Sequence, residues 1–119
     1  MVMSNKELIE WWVERFNAAD ADGITELYHD AAVNHQMPLE AVNGKEAIRA
    51  MFKHEFAAAD MHCIPVQIIS EGEWSVLEWR DPKNFCGCGF FEIVDGKIIN
   101  QRGYWDRYTF SKLHNIPLE

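Results

Sequence analysis

Apolar residues recur at helical spacing over the first half of the chain and at alternating spacing over the second. Leu8, Trp11, Trp12, Val13 and Phe16 form a broad stripe that predicts an amphipathic helix ending near Ala19. Ser4 followed by Glu7 supplies a capping box: the serine hydroxyl accepts an orphan backbone N–H while the glutamate reaches back. Ile24, Leu27 and Tyr28 predict a short second helix capped by Asp22. A third helix is predicted from Asn43, with Glu46 completing a second capping box. It carries Ile48, Met51, Phe52 and Phe56 on one face before Asp60.

From His62 the pattern becomes that of strands. Runs at 62–70, 73–80, 85–94 and 97–109 are separated by Glu71-Gly72, Asp81-Pro82-Lys83-Asn84 and Asp95-Gly96, all turn chemistry. A brief strand is predicted at 32–36. Helices followed by a meander imply an α+β fold, with helices on one face of the sheet. A strongly curved antiparallel or mixed sheet, with the three N-terminal helices on its concave face, makes a cone with room for a ligand. At 119 residues, with no repeats or linkers, a single domain over 1–119 is expected.

Charge narrows the choice of partner. The net charge is −8 and no basic cluster occurs, so phosphate neutralisation for a nucleic acid is not available. An anionic membrane surface would repel the chain for the same reason. No apolar run reaches the length of a membrane span, and MVMSNKELIE is not a signal peptide, so a cytoplasmic protein is expected. Three cysteines, Cys63, Cys86 and Cys88, make a disulfide framework unexpected. Cys86 and Cys88 fall on one strand face without zinc-knuckle spacing. Five Trp and seven Phe bring more apolar bulk than a small core needs, which points to a cavity or an interface. The expected ligand is therefore a small lipophilic molecule, neutral or weakly polar.

The segment NHQMPLEAVNGKEAIRAMF, then EWRDP, the hairpin DGKIINQRGYWD and the closing NIPL resemble limonene epoxide hydrolase in order and spacing. VNH and GYWD are also similar to the SnoaL-like polyketide cyclases. The resemblance implies the nuclear transport factor 2-like, cystatin-like cone, which ketosteroid isomerases share. It further implies hydrolysis by two aspartates bridged by an arginine, with a Tyr and an Asn holding the water. Carried over by position, one aspartate falls on Asp81. The arginine falls on Trp79, the second aspartate on Gly103, a pocket Trp on Gln101, and the water-holding pair on Asn34 and Gln36. A push–pull mechanism of two coupled carboxylates cannot run on Asp81 alone, so epoxide hydrolysis in that form is not expected.

Strand alternation sorts the remaining candidates. Leu77, Trp79 and Asp81 share a face, as do Gln101, Gly103 and Trp105, and the resemblance puts both sets inside. Asp81 is the first acid/base candidate, although Asp before Pro is also ordinary turn chemistry. Asp106 becomes a candidate base if a bulge at Gly103 reverses the parity. Asn34 and Gln36 can hold a water or a ligand carbonyl, with Gln101 alongside, while His35 points the other way. Trp12, Phe16, Trp79, Phe90 and Trp105 form the expected apolar wall. Glu78, Arg80 and Arg102 are placed outside, where the resemblance implies a sheet-to-sheet homodimer. The five histidines show no ligand spacing, and neither metal nor cofactor is expected. The expected function is a cofactor-independent isomerase, cyclase or hydrolase. Its alternative is a non-catalytic apolar-ligand-binding or dimeric assembly module.

Overall fold

The computed structural model describes residues 3–115, so of the closing NIPL only Asn115 lies within the described residues. Helix α1 (Asn5–Asn17) starts with the expected capping box, Glu7 N–H donating to Ser4 Oγ (3.1 Å) and Ser4 N–H to Glu7 Oε1 (2.9 Å). Its stripe buries Leu8, Ile9, Trp12 and Val13, while Trp11 stays exposed beneath the Arg15 guanidinium. Helix α2 (Ala21–Thr25) is capped by Asp20 rather than Asp22. Asp20 accepts from Gly23 N–H (2.9 Å) and from Arg15 (3.0 Å), so one carboxylate ties α1 to α2. Asp22 instead joins Glu26 and Glu46 around Arg49, whose guanidinium is held well above its usual range by those hydrogen bonds.

Tyr28 does not extend the second helix. It opens strand β1 (Tyr28–Gln36), four residues ahead of the expected strand start. The short β2 (Val42–Asn43) pairs with β1 through Val33 and Asn43. Asn43 is thereby committed to the sheet and cannot cap the next helix. Helix α3 (Lys45–Ala58) starts from Gly44, at φ 95°, without a side-chain cap, so the expected second capping box is absent. Its inner face carries Ile48 and Phe52.

Strands β3 (Ile64–Glu71), β4 (Trp74–Arg80), β5 (Cys86–Val94) and β6 (Lys97–Tyr104) form the meander, and the sheet order is β2-β1-β6-β5-β4-β3. Only β1 and β6 pair in parallel among these neighbours, which makes the sheet mixed. Register shifts between Tyr28 and Val33, Pro65 and Gln67, and Glu92 and Ile93 bend it locally. The sheet is curved and open, with α1 against β3 and β4 and α3 against β1 and β2. The last strand ends at Tyr104, not 109. Asp106 there caps a fourth helix, α4 (Arg107–His114), which the alternating pattern of the hairpin did not reveal.

The core lies between helices and sheet: Leu8, Ile9, Trp12, Ile24, Tyr28, Ile48, Phe52, Leu77, Phe91, Ile93 and Ile98 are all buried. Among the described residues, no helix is long and apolar enough to cross a membrane.

Candidate functional site

Two hydrogen-bond chains run through the cone interior. In the first, Trp12 Nε1–H donates to the Tyr28 hydroxyl (3.0 Å), which donates in turn to Gln101 Oε1. In the second, Trp105 Nε1–H donates to Gln36 Oε1 (2.9 Å) and Gln36 Nε2 donates to Asn34 Oδ1 (2.8 Å). The parallel register of β1 and β6 brings them together, placing Asn34 beside Gln101 and Gln36 beside Gly103. Of the residues that the resemblance places inside, Asn34, Gln36 and Trp105 belong to the second chain and Gln101 to the first. Asn34 is 1 % exposed, and its Nδ2 makes no well-formed hydrogen bond, although the amide acts on the Tyr28 hydroxyl beside it. Burial lifts the Tyr28 hydroxyl far above its ordinary value, so it stays protonated.

Gly103 shows why the second aspartate of the resembled chemistry has no room. A Cβ there would overlap the Gln36 amide, with Gln36 Cδ at 2.5 Å. The amide lies across the bare backbone and occupies the space that a carboxylate would need. Trp79, at the arginine's position, lies on Gly87, where a Cβ would meet its ring and the Tyr104 carbonyl oxygen at 2.8 Å. Gly89 in turn faces the Phe91 ring. The alternation in Cys86-Gly87-Cys88-Gly89 therefore gives the glycines to the inner rings and leaves both cysteines on the convex side.

The interior also contains an acid absent from the expected set. Glu55 sits on α3 three residues after Phe52, on the helix's inner face, half-buried. Desolvation raises its pKa to about 7, and its charge acts on Tyr28. In KHEFAA the residue reads as solvated helix surface. Its spacing of seven from Ile48 was the available signal.

Asp81 is buried, but its carboxylate is engaged. Oδ1 accepts from Lys83 N–H and Phe85 N–H (2.9 Å each), and Oδ2 accepts from His114 Nε2 (2.9 Å). It closes the β4–β5 turn and anchors α4, and none of its hydrogen bonds reaches the two interior chains. Asp106 is exposed, accepts from Thr109 N–H (3.1 Å) and lies below its ordinary pKa because of Thr109; as helix cap it is no base for the interior. The register of β5 and β6 does not shift at Gly103, and β6 ends at Tyr104, before Asp106. Phe90 requires correction as wall: alternation turns Phe91 inward, and Phe90 lies against Tyr104 and Arg102. Trp12 and Phe16 stack at 5.2 Å, and Phe16 meets Phe56 at 5.4 Å, inside as expected. Trp79 and Trp105 both pack on Phe85, at 5.7 and 6.2 Å, and Phe110 and His114 of α4 complete that cluster. His35 donates from Nε2 to the Leu39 carbonyl (3.1 Å).

Two recesses flank this interior. One of about 310 Å³ lies at the C-terminal ends of α1 and α3, lined by Asn17, Phe56 and Met61 among others. From Phe56 the rings Phe52 and Tyr28 lead to the polar chains, at 5.6 and 6.1 Å between successive centroids. The other, of about 410 Å³, is a groove on the convex face between Ile69, Glu78, Cys88 and Tyr104.

A family model described as a SnoaL-like domain matches residues 9–101. The chain belongs to the SnoaL-like domain family. No curated protein matches its sequence. Among solved structures, this SnoaL-like chain is similar to an LEH-like epoxide hydrolase of M. tuberculosis, with 20 % identity, TM-score 0.79, 90 % of this chain and 86 % of the other covered. It is similar to the epoxide hydrolase/cyclase-like enzyme SalBIII of salinomycin pyran-ring formation (19 %, TM-score 0.77, 87 % and 91 % covered). It is also similar to a nuclear transport factor 2-like protein of unknown function from Cytophaga hutchinsonii (12 %, TM-score 0.80, 92 % and 96 % covered). At these identities the likeness shows the fold of the SnoaL-like chain, and its chemistry must be read from its own residues.

Proposed function

We propose that the chain is a cofactor-independent acid–base enzyme, an isomerase, cyclase or hydrolase, acting on a small lipophilic substrate inside the cone. The observation that carries this reading is Glu55, a half-buried carboxyl on α3 whose pKa burial pushes up to about 7 and whose charge acts on the buried Tyr28 hydroxyl. A group that titrates near neutrality is present in both protonation states at working pH, the condition under which one side chain takes and returns a proton well. Asn34 Nδ2, buried between the two chains, supplies a fixed donor for charge developing on a substrate oxygen. Trp12, Phe16, Phe52 and Phe56 supply the apolar surroundings. Similarity to proteins named as an epoxide hydrolase and a cyclase-like enzyme supports the substrate class. Asp81, the acid/base expected from sequence, has in this reading the role of holding α4.

The test is turnover of a panel of small ketones, enones and epoxides by wild type and Glu55→Gln. A loss of about 10²-fold or more in the variant is expected. Equal rates would remove Glu55 from the mechanism. With Glu55 as base, wild-type activity rises with pH through about 7.

The convex face favours a second reading, a homodimeric assembly module without turnover. Ile69 and Tyr104 are exposed there, and Arg102 stacks on Trp74 at 4.5 Å. This reading expects a dimer by sedimentation that Ile69→Glu dissociates, with no product from any member of the panel.

A further inference from the structure

The hydrogen-bond direction of the interior is set by its two indoles. An indole N–H donates and never accepts. Trp105 Nε1–H therefore requires an acceptor and turns Gln36 Oε1 toward itself, which sends Gln36 Nε2 to Asn34. Asn34 must answer with Oδ1, and its Nδ2 is left as a buried donor that makes no well-formed hydrogen bond and acts only weakly on the neighbouring Tyr28 hydroxyl. Trp12 N–H takes one lone pair of the Tyr28 oxygen, and the phenol proton goes to Gln101 Oε1. Neither amide can be flipped without setting two donors face to face. A buried unmet donor loses about 1–3 kcal/mol, and an acceptor placed against it recovers that loss.

From this polarity we infer that the site takes a neutral ligand through an acceptor oxygen, a carbonyl or ether oxygen placed against Asn34 Nδ2, with Trp105 and Gln36 as the positioning residues that keep Asn34 turned toward it. The inference rests on reading the cone interior as the small-molecule site, but not on proton transfer by Glu55. It also gives α4 a part in binding: Trp105 packs against Phe110 at 5.3 Å, so the helix that Asp81 and His114 anchor holds the indole that orients the amides. An apolar ligand without such an oxygen would bury Asn34 Nδ2 still unmet.

The probes are trans-2-decalone and the same bicycle with an exocyclic methylene in place of the carbonyl. Dissociation constants from tryptophan fluorescence should favour the ketone by about tenfold, the worth of one hydrogen bond to a buried donor. The infrared stretch of the bound ¹³C-labelled carbonyl should move to lower frequency than in hydrocarbon solvent. Asn34→Leu should abolish both effects while the methylene probe binds as before. Trp105→Phe should return the carbonyl frequency most of the way, because Gln36 and Asn34 are then free to turn. Equal affinity of wild type for the two probes, an unshifted carbonyl, or failure of both probes to bind at millimolar concentration overturns the inference. If a variant does not fold, the wild-type affinity ratio and carbonyl frequency decide alone. Hydrogen exchange next to the carbonyl in D₂O separates this inference from the proposed enzyme. Preferred binding without exchange supports the inference and defeats catalysis by Glu55. Exchange without preference, unchanged in Asn34→Leu, does the reverse.

Discussion

Replacing Glu55 by glutamine tests the site through stability, before any substrate is known. Glu55 carries its proton up to a pKa of about 7 in the folded chain against an ordinary value of 4.5, because α3 holds it against the core without a cation to balance it. The folded state thus binds the proton more tightly than the unfolded state, and stability falls as pH rises from about 4.5 to about 7. A difference of about 2.5 pKa units corresponds to roughly 3 kcal/mol. Below that window both states are protonated and the penalty vanishes; above it both are ionised and the penalty is complete. Glutamine resembles the neutral acid at every pH. Glu55→Gln should therefore match wild type near pH 4 and exceed it by about 3 kcal/mol near pH 8.5. With a urea m-value of about 1.5 kcal/mol/M, the midpoint rises by about 2 M at the higher pH. Urea titrations followed by tryptophan fluorescence at five pH values would give both curves. Parallel curves across the range would show that Glu55 is ordinarily solvated, and the proposed acid–base role would fall with it.

The other predictions concern the groups that shape the interior. Gly103→Ala drives a methyl into the Gln36 amide and should destabilise by about 1–3 kcal/mol in urea unfolding, with a shifted Trp105 indole N–H resonance. Gly87→Ala should lose a similar amount, since the Tyr104 carbonyl is backbone and cannot move aside as a side chain can. Asp81→Ala orphans two backbone N–H groups and the His114 ring, and should lose about 2–3 kcal/mol, with faster amide exchange in α4. Asp81→Asn keeps one acceptor and should lose about half of that.

Much of the fold was legible because it rests on local rules. The Ser4–Glu7 box, the stripe of α1 and the Asp95-Gly96 turn need only neighbouring residues to act. The failures lie where a distant partner took a residue away from its local preference. Asn43 is a good helix cap in sequence, but Val33 holds it in β2. Tyr28 continues a helical stripe, but its ring is better buried in the core against Phe52, with its hydroxyl between Trp12 and Gln101. Asp106 and the residues after it continue an alternating pattern, yet Asp106 caps α4, whose rings pack on Phe85.

The sequence by itself determined which residues are available for chemistry here and which face of each long strand they occupy, because side-chain alternation is a property of a single strand. Alternation pairs Asn34 with Gln36 and Gln101 with Trp105; that these faces turn inward, and that Gly103 stands where the resembled chemistry has its second aspartate, is what the resemblance implied. Only the tertiary structure decided what these groups do. The parallel pairing of β1 with β6 joins amides that are sixty-seven residues apart (Asn34 with Gln101, 101 − 34). The docking of α3 removes water from Glu55 and so raises its pKa. The docking of α4 engages Asp81 and seats Trp105 over Gln36. Solvation and hydrogen-bond direction depend on every neighbour in space, and no window of sequence contains those neighbours.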